Sequence, residues 1–428
     1  MEAYAAALTY AIPFFVLLIL IEVIAAWRMG RKINRGMDTI SSLSSGMTNT
    51  IKDILGLSIV ILSYEWMVNH WAIFEIEANW WVFLVTFILM DLAAYWSHRF
   101  NHTINLFWNR HIVHHSSEEF NLSCALRQSI SEVFGIYFFL YIPIALLGVP
   151  ALVIAIVSPI HLFAQFWYHT RLINKMGWLE YIIVTPSHHR VHHAINPEYI
   201  DKNYAAIFIV WDKWFGTFQE ELEDQPPVYG TLKPVSTWNP VWINFMHFWG
   251  ILKDAWRTEK WWDKLRIWFM PTGWRPSDVK EKYPVKIVAD VYKREKYDTQ
   301  NSQFLLLWSW FQLVMSILLI YYALYALAHL EIFSYWSILL YLSFTFISIF
   351  SYTALMDEHW MAIPLEVFKF IMGITFIYQF SGWFMIDELI SGGSILMLIY
   401  LFTSMLLTLY FSFIEQGHWT TAKQRLTV

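Results

Sequence analysis

Eleven of the sixteen histidines in the chain fall between residues 98 and 193. His98 and His102 stand four apart in HRFNH, His111, His114 and His115 form HIVHH, and His189, His192 and His193 form HRVHH. Both triplets repeat the offsets 0, 3 and 4. On a helix, residues three and four apart share a face, so each motif aims two or three imidazoles at one point. Crowded as imidazolium ions these rings would repel one another, and a bound cation holding them neutral removes the conflict. Eight ligands are too many for one ion and suit two transition-metal ions sharing a site, with a position open to oxygen or substrate. Imidazole serves iron, copper, zinc and nickel alike, so the donors alone leave the metal open. The single cysteine, Cys124, excludes an internal disulfide and a thiolate cluster.

Other residues belong to the same neighbourhood. In HLFAQFWYH, His161, Gln165 and His169 follow at steps of four. His169 is the expected ninth ligand, Gln165 a group orienting it, and His161 a hydrogen-bonded core histidine. His188, beside His189, points off the shared face and is read as a supporting residue rather than a ligand. Asn203 and Tyr204 in DKNYA and Asp212 in WDKWFGTF bring polar groups into an aromatic setting. Asp212 is expected to accept the free ring N–H of a metal-bound histidine. Asp91 lies seven residues before His98, two turns up the same face. An intramembrane carboxylate there either serves the site or pairs with a neighbour such as Arg99. Arg127 in CALRQS is expected to mark the membrane interface.

The elements that position these residues are those of a membrane protein. The chain is 57% hydrophobic and 15% charged, against about 45–50% and about 25% in soluble domains. A net charge of −5, with Lys and Arg scattered among aromatic and acidic residues, argues against a nucleic-acid partner. Apolar runs long enough to cross a bilayer are read at 5–27, 54–74, 80–96, 304–327, 335–354, 364–383 and 394–414. A further run, 133–167, is broken at LLGVPA into an expected hairpin. Placing the segment after Trp27 inside leaves no Lys or Arg in the N-terminus, 69–79, the turn at Gly148, 328–334 or 385–393. Almost all the basic residues, Lys423 and Arg425 among them, then fall inside, and the histidines sit at the cytoplasmic end of the third span. The expected fold is all-α: a polytopic helical bundle with a helical cap, including interfacial aromatic helices, on the cytoplasmic face. Its expected parts are N-terminal spans (1–79), a histidine-box core with its cap (80–300) and a four-span C-terminal region (301–428).

The order HRFNH, HIVHH, HRVHH resembles the fatty acid hydroxylase and sterol desaturase superfamily of membrane oxygenases. HHSSEEFNLSCALRQS, PSHHRVHHAINPEYIDKNYA and WDKWFGTF are similar to its alkylglycerol monooxygenase branch, as are the four apolar runs after residue 300. The resemblance implies that His98, His102, His111, His114, His115, His189, His192 and His193 hold two iron ions. It also implies activation of O2 with electrons from an external donor and hydroxylation of a lipid C–H bond. Where animal members carry an acidic residue after the first box, this chain has Thr103. That departure leaves the reductant, tetrahydrobiopterin or an electron-transfer protein, and the lipid open. Alternatives within the superfamily are a sterol or fatty acyl hydroxylase or desaturase. A metal transporter is more remote, because its ligands would line a path near the bilayer midplane. A zinc hydrolase of the HExxH type lacks its glutamate in every box.

Overall fold

The computed structural model describes residues 2–55, 59–131, 137–330 and 332–417. Parts of the runs at 54–74 and 133–167, residue 331 in the 328–334 loop, and the basic pair Lys423 and Arg425 lie outside the described residues. Among the described residues the fold is helical, and two isolated bridges, Ile183 with Phe208 and Ala194 with Tyr229, are its only sheet-like pairings. The helices are α1 (Glu2–Arg28), α2 (Gly36–Ile54), α3 (Ile59–Trp71), α4 (Trp80–Thr103), α5 (Asn105–His115), α6 (Ile142–Leu146), α7 (Ala151–Phe163) and α8 (Pro186–His192). They continue as α9 (Val210–Trp214), α10 (Pro240–Arg257), α11 (Trp261–Arg266), α12 (Ser277–Lys282), α13 (Gln303–Ala328), α14 (Tyr335–Met356), α15 (Ala362–Gln379) and α16 (Gly393–Tyr410). Six stretches, in α1, α4, α13, α14, α15 and from α16 to Glu415, are long and apolar enough to span a membrane. The protein is an integral, multi-pass membrane protein.

α4 shows how a span becomes a site. Asn79 caps it by accepting from the Trp81 and Val82 amides, which fixes the first turn. Its 24 residues reach about 36 Å at the α-helical rise, longer than the roughly 30 Å hydrocarbon core. The excess of about 6 Å is roughly one turn, which brings His102 past the hydrocarbon and leaves His98 near its edge, at the bilayer rim. One extended residue, Ile104, turns the chain into α5, which packs back on α4.

The expected span at 54–74 includes the 13-residue α3, and the broken run yields the short α6 and α7. These pack with α4 as a compact layer. The break at Gly148 has φ +83°, and a Cβ there would meet the Phe74 carbonyl at 1.8 Å, so the turn requires glycine. Ile73 donates to the Leu146 carbonyl at 2.8 Å, which holds the two loops together on one side of the layer.

Helix α2 has no counterpart among the expected spans. Its serines are buried: Ser44 meets the Tyr352 hydroxyl at 2.5 Å, Ser41 donates to Trp238 O and Ser45 to Gln128 O. Short hydroxyl side chains let the histidine core and the C-terminal helices approach it from opposite sides while satisfying each buried oxygen. α13 to α16 form a chain of neighbours, with α13 and α14 against α2. One apolar core joins Met37, Ile40 and Ile51 to Leu324, Leu342 and Leu401, so the first and last segments of the chain pack together.

Candidate metal centre

The nine histidines named as ligands gather into two groups, His98, His102, His111, His115 and His192 in one and His114, His169, His189 and His193 in the other. Each triplet straddles both. At about 100° per residue, offsets 0 and 4 lie about 40° apart, while offset 3 lies about 60° to the other side. His111 and His115 accordingly join the first group and His114 the second, whereas His189 and His193 join the second and His192 the first. The groups adjoin, with the His115 and His193 rings stacked at 4.3 Å.

Within each group the rings converge through Nε2. The contacts are 2.8 Å for His98–His111, 3.0 Å for His111–His115 and 3.1 Å for His115–His192. In the second group they are 3.3 Å for His114–His169, 2.8 Å for His169–His189 and 3.0 Å for His189–His193. Several rings direct Nδ1 at backbone oxygens: His98 at Tyr204 O, His192 at Lys202 O, His114 at Arg127 O and His169 at Gln165 O. An Nδ1–H that donates to a carbonyl leaves a lone pair on Nε2. Lone pairs facing one another at these distances repel unless a cation lies among them. An ion bound at about 2.1 Å places neighbouring nitrogens about 3.0–3.4 Å apart in octahedral or tetrahedral surroundings, close to the spacing seen here. His102 Nε2 and His189 Nδ1 are buried without a partner. The donor set thus fits transition-metal ions, iron among them.

Burial dominates the electrostatics. Loss of water holds His111, His115, His169, His189, His192 and His193 well below the ordinary imidazole range and brings His114 to about 4, with neighbouring rings adding repulsion. Neutral imidazole is the ligating form. Phe120, Tyr168 and Tyr204, all buried, line the rings and keep water from them.

The supporting residues act at one remove. Asp212 is fully buried and accepts from the Tyr204 and Ala205 amides, both at 2.8 Å, and from the Thr217 hydroxyl. It holds the loop whose Tyr204 carbonyl receives His98, in place of the direct contact to a ring expected from the sequence. Burial raises its carboxyl above the ordinary range, and these hydrogen bonds pull it back. Asn203, at φ +55°, ties the same loop to His188 O and Gln219 O. The Gln165 side chain bonds to His161, and its backbone carbonyl, not its amide group, receives His169. The His188 ring closes a capping box with Thr185 and touches no ligand ring through a hydrogen bond. Asp91 accepts from His161, the Ile207 and Phe208 amides and the Trp211 indole. It pins the loop before α9 to the α4 span, while Arg99 bonds to Tyr95. Arg127 is 2% exposed and paired with Asp38 at 3.0 Å, so it lies inside the protein and not at the interface.

Sequence reasoning missed Asp201, whose carboxylate lies 3.7 Å from His102 Nδ1 at a φ of +58°. It also missed the carbonyls of Arg127, Lys202 and Tyr204. Asp201 and Asn203 are residue types that favour left-handed backbone, the one available signal that DKNY turns sharply.

A polytopic helical bundle that brings histidine boxes from a span, a short helix behind it and a cap helix onto paired nitrogen clusters defines the histidine-box class of membrane oxygenases. Residues 83–217 match the Fatty acid hydroxylase family. The human alkylglycerol monooxygenase is 34% identical over 373 residues, covering 87% of this chain and 82% of that protein. The zebrafish, Danio rerio, alkylglycerol monooxygenase is 39% identical over 272 residues, 62% of this chain and 59% of that protein. An ornithine lipid hydroxylase of Rhizobium tropici is 28% identical over 132 residues, 31% of this chain and 40% of that protein. No solved structure matches. The chain belongs to the alkylglycerol monooxygenase family, within the fatty acid hydroxylases.

Proposed function

We propose that this protein is a membrane-bound di-iron monooxygenase that hydroxylates a C–H bond of a lipid with O2, and that an ether lipid of the alkylglycerol type is its substrate. The observation that carries the reading is the pair of adjoining Nε2 clusters at the end of a span. His98, His102, His111, His115 and His192 hold one iron, and His114, His169, His189 and His193 the other. Bound iron supplies the redox chemistry that activates O2 for insertion into an unactivated C–H bond.

The residues of the chain bind, orient and exclude. Backbone oxygens on Nδ1 fix ring tautomer and direction. The aromatic lining keeps water from the rings, which limits unproductive loss of oxidising equivalents. Placement at the rim lets a lipid tail arrive from the bilayer while its polar end stays in the interface. The overall reaction takes R–CH2–O–R′, O2, two electrons and two protons to R–CH(OH)–O–R′ and water. The product is a hemiacetal that separates into an aldehyde and an alcohol. The electrons come from an external donor, tetrahydrobiopterin or an electron-transfer protein. The histidine centre faces the cytoplasm. Arg28 ends α1 and Arg31, Lys32 and Arg35 follow it at one end of the bundle, and the loop before α4 carries only Glu75 and Glu77 as charges, the bias that orients membrane proteins.

The test combines metal analysis with lipid profiling. About two irons per chain are expected, with one ether-lipid class accumulating in cells that lack the protein or carry His115→Ala. Zinc alone, or lipid profiles identical for the native and His115→Ala proteins, would refute the reading. A hydroxylated acyl chain or sterol as the only changed lipid would move the substrate to the alternative within the superfamily.

A further inference from the structure

α10 and α11 expose an aromatic surface that the centre does not use. Trp242, Phe245, Trp249, Leu252 and Trp256 recur at intervals of three and four along α10 and are exposed, Trp256 to 85%. α11 continues the surface with Trp261, Trp262 and Leu265. The opposite face of α10 is committed: Ile243 packs with Ile112 and Val113, and Asn109 of α5 bonds to Asn244 O and the Phe248 amide.

Both ends of this helix pair are fastened to the ends of spans. At the start of α10, Asn239 donates to Phe350 O and the Trp238 amide to Asp357, where α14 ends. Beyond α11, Met270 O and Trp268 O accept from the Asn105 and Leu106 amides, where α4 ends. The pair therefore runs across the rim of the membrane-spanning bundle, at the level where the spans leave the bilayer. Its charge is complementary to lipid phosphates: residues 253–282 hold eight Lys and Arg against five Asp and Glu in a chain of net charge −5. Arg266 and Arg275 are held by Asp263 and Asp254. Lys260 bonds to Ser277 and lies with Lys280 in one shallow cup, which Asp263, Arg266 and Arg275 also line. The Lys253 and Lys264 ammonium groups lie over the rings of Trp249 and Trp261, and Lys264 also donates to the Ala255 and Trp256 carbonyls at the end of α10, so both cations sit against the aromatic surface.

We propose that the outer faces of α10 and α11 are a bilayer-docking surface, with the aromatic rings at the headgroup–acyl boundary and Lys253, Lys260, Lys264 and Lys280 on the phosphate esters of anionic lipids. The surface anchors the cap to the leaflet from which the lipid substrate comes. It stands independently of the metal assignment.

Spin labels at Trp256→Cys and Trp261→Cys test it in the intact protein in lipid nanodiscs, with Lys293→Cys, on an exposed lysine, as the aqueous control. Cys124 is buried, with its thiol pushed up to about 12, and stays in place. The two tryptophan sites are expected to be relaxed more by oxygen than by a water-soluble nickel chelate, and the control site the reverse. Preferential relaxation by nickel at both tryptophan sites would overturn the docking surface, as would protection from both agents, which signals a protein partner or a second copy. Lipid retained after extraction from vesicles of equal phosphatidylcholine and phosphatidylserine content reports the headgroups. At about fivefold per cation near an anionic surface, at least twofold enrichment of phosphatidylserine is expected. That enrichment is expected to be lost on Lys253→Gln/Lys260→Gln/Lys264→Gln/Lys280→Gln. Equal enrichment in both proteins would overturn the headgroup assignment even if the labels report membrane depth.

Discussion

Replacing Asp212 by Asn separates a residue that tunes one metal from one that only closes a turn. The carboxylate accepts two amides at 2.8 Å and one hydroxyl inside the protein. Asn keeps the shape but offers one acceptor oxygen, and its NH2 faces a donor. At least one buried N–H is left unpaired, at a cost of about 1–3 kcal/mol. That strain reaches His98 directly, because Tyr204 gives its amide to Asp212 and its carbonyl to His98 Nδ1 at 2.7 Å. Lys202, whose carbonyl holds His192, lies in the same loop. Both rings belong to the five-histidine group, whereas the carbonyls on His114 and His169 come from Arg127 and Gln165, outside this loop. Loss of such support weakens metal binding about 10–100-fold, or about 1.4–2.7 kcal/mol, in line with the hydrogen-bond figure. Chelator competition on the iron-loaded protein, native against Asp212→Asn, should show one iron released 10- to 100-fold more easily and the other within about twofold of native. Equal weakening of both irons, or native affinity at both with only a lower melting temperature, would refute the reasoning.

Three further outcomes follow from the same geometry. His169→Ala removes one of four nitrogens from the second group and should release that iron at least 10-fold more easily, whereas His188→Ala should keep both irons and lose about 1 kcal/mol of stability with its cap, as read by metal analysis and thermal melting. In the metal-free protein, the depressed histidines of the centre take up protons only on unfolding. Stability should be level above about pH 6.5 and fall as pH drops from there toward 4, by as much as about 1.4 kcal/mol per pH unit for each such ring; a melting temperature flat from pH 7.5 to 5 would contradict the burial. In the C-terminal spans, Lys369 and Glu366 pair at 2.7 Å and are almost fully buried. Lys369→Met should cost about 3–5 kcal/mol by stranding Glu366, and Glu366→Gln/Lys369→Met should recover most of the loss in a melting assay.

The parts legible in the sequence were those with a period or a forced turn. Four of the apolar runs after residue 300 became α13 to α16, the break at Gly148 became a turn, and the 0, 3, 4 offsets of the boxes became converging rings. Helix α2 was not legible, because GMDTISSLSSGMTNTIKDI shows hydroxyl side chains where a buried helix usually shows apolar ones. Its burial is set by what packs on either side, Arg127 and Trp238 from one region and Tyr352 from another, far along the chain.

The supporting shell was illegible for a more general reason. A side chain announces its chemistry by its type, but four rings of the histidine clusters are held here by backbone carbonyls, which every residue owns. What selects those particular carbonyls is loop shape, imposed by residues that do not touch the rings: Asp212 through two amides, Asn203 through two carbonyls, and Asp91 by tying the Ile207 and Phe208 amides to α4. The polar residues flagged between 201 and 212 lie on this loop and bond to its backbone, one bond further from the rings than a type-based reading assigns. The same logic distinguishes the two histidine groups. The five-histidine group leans on a loop with two left-handed residues, Asp201 and Asn203, whose backbone is held by one buried carboxylate, Asp212. In the four-histidine group, by contrast, the His169 carbonyl comes from its own segment just beyond α7 and the His114 carbonyl from the segment anchored by the Arg127–Asp38 pair.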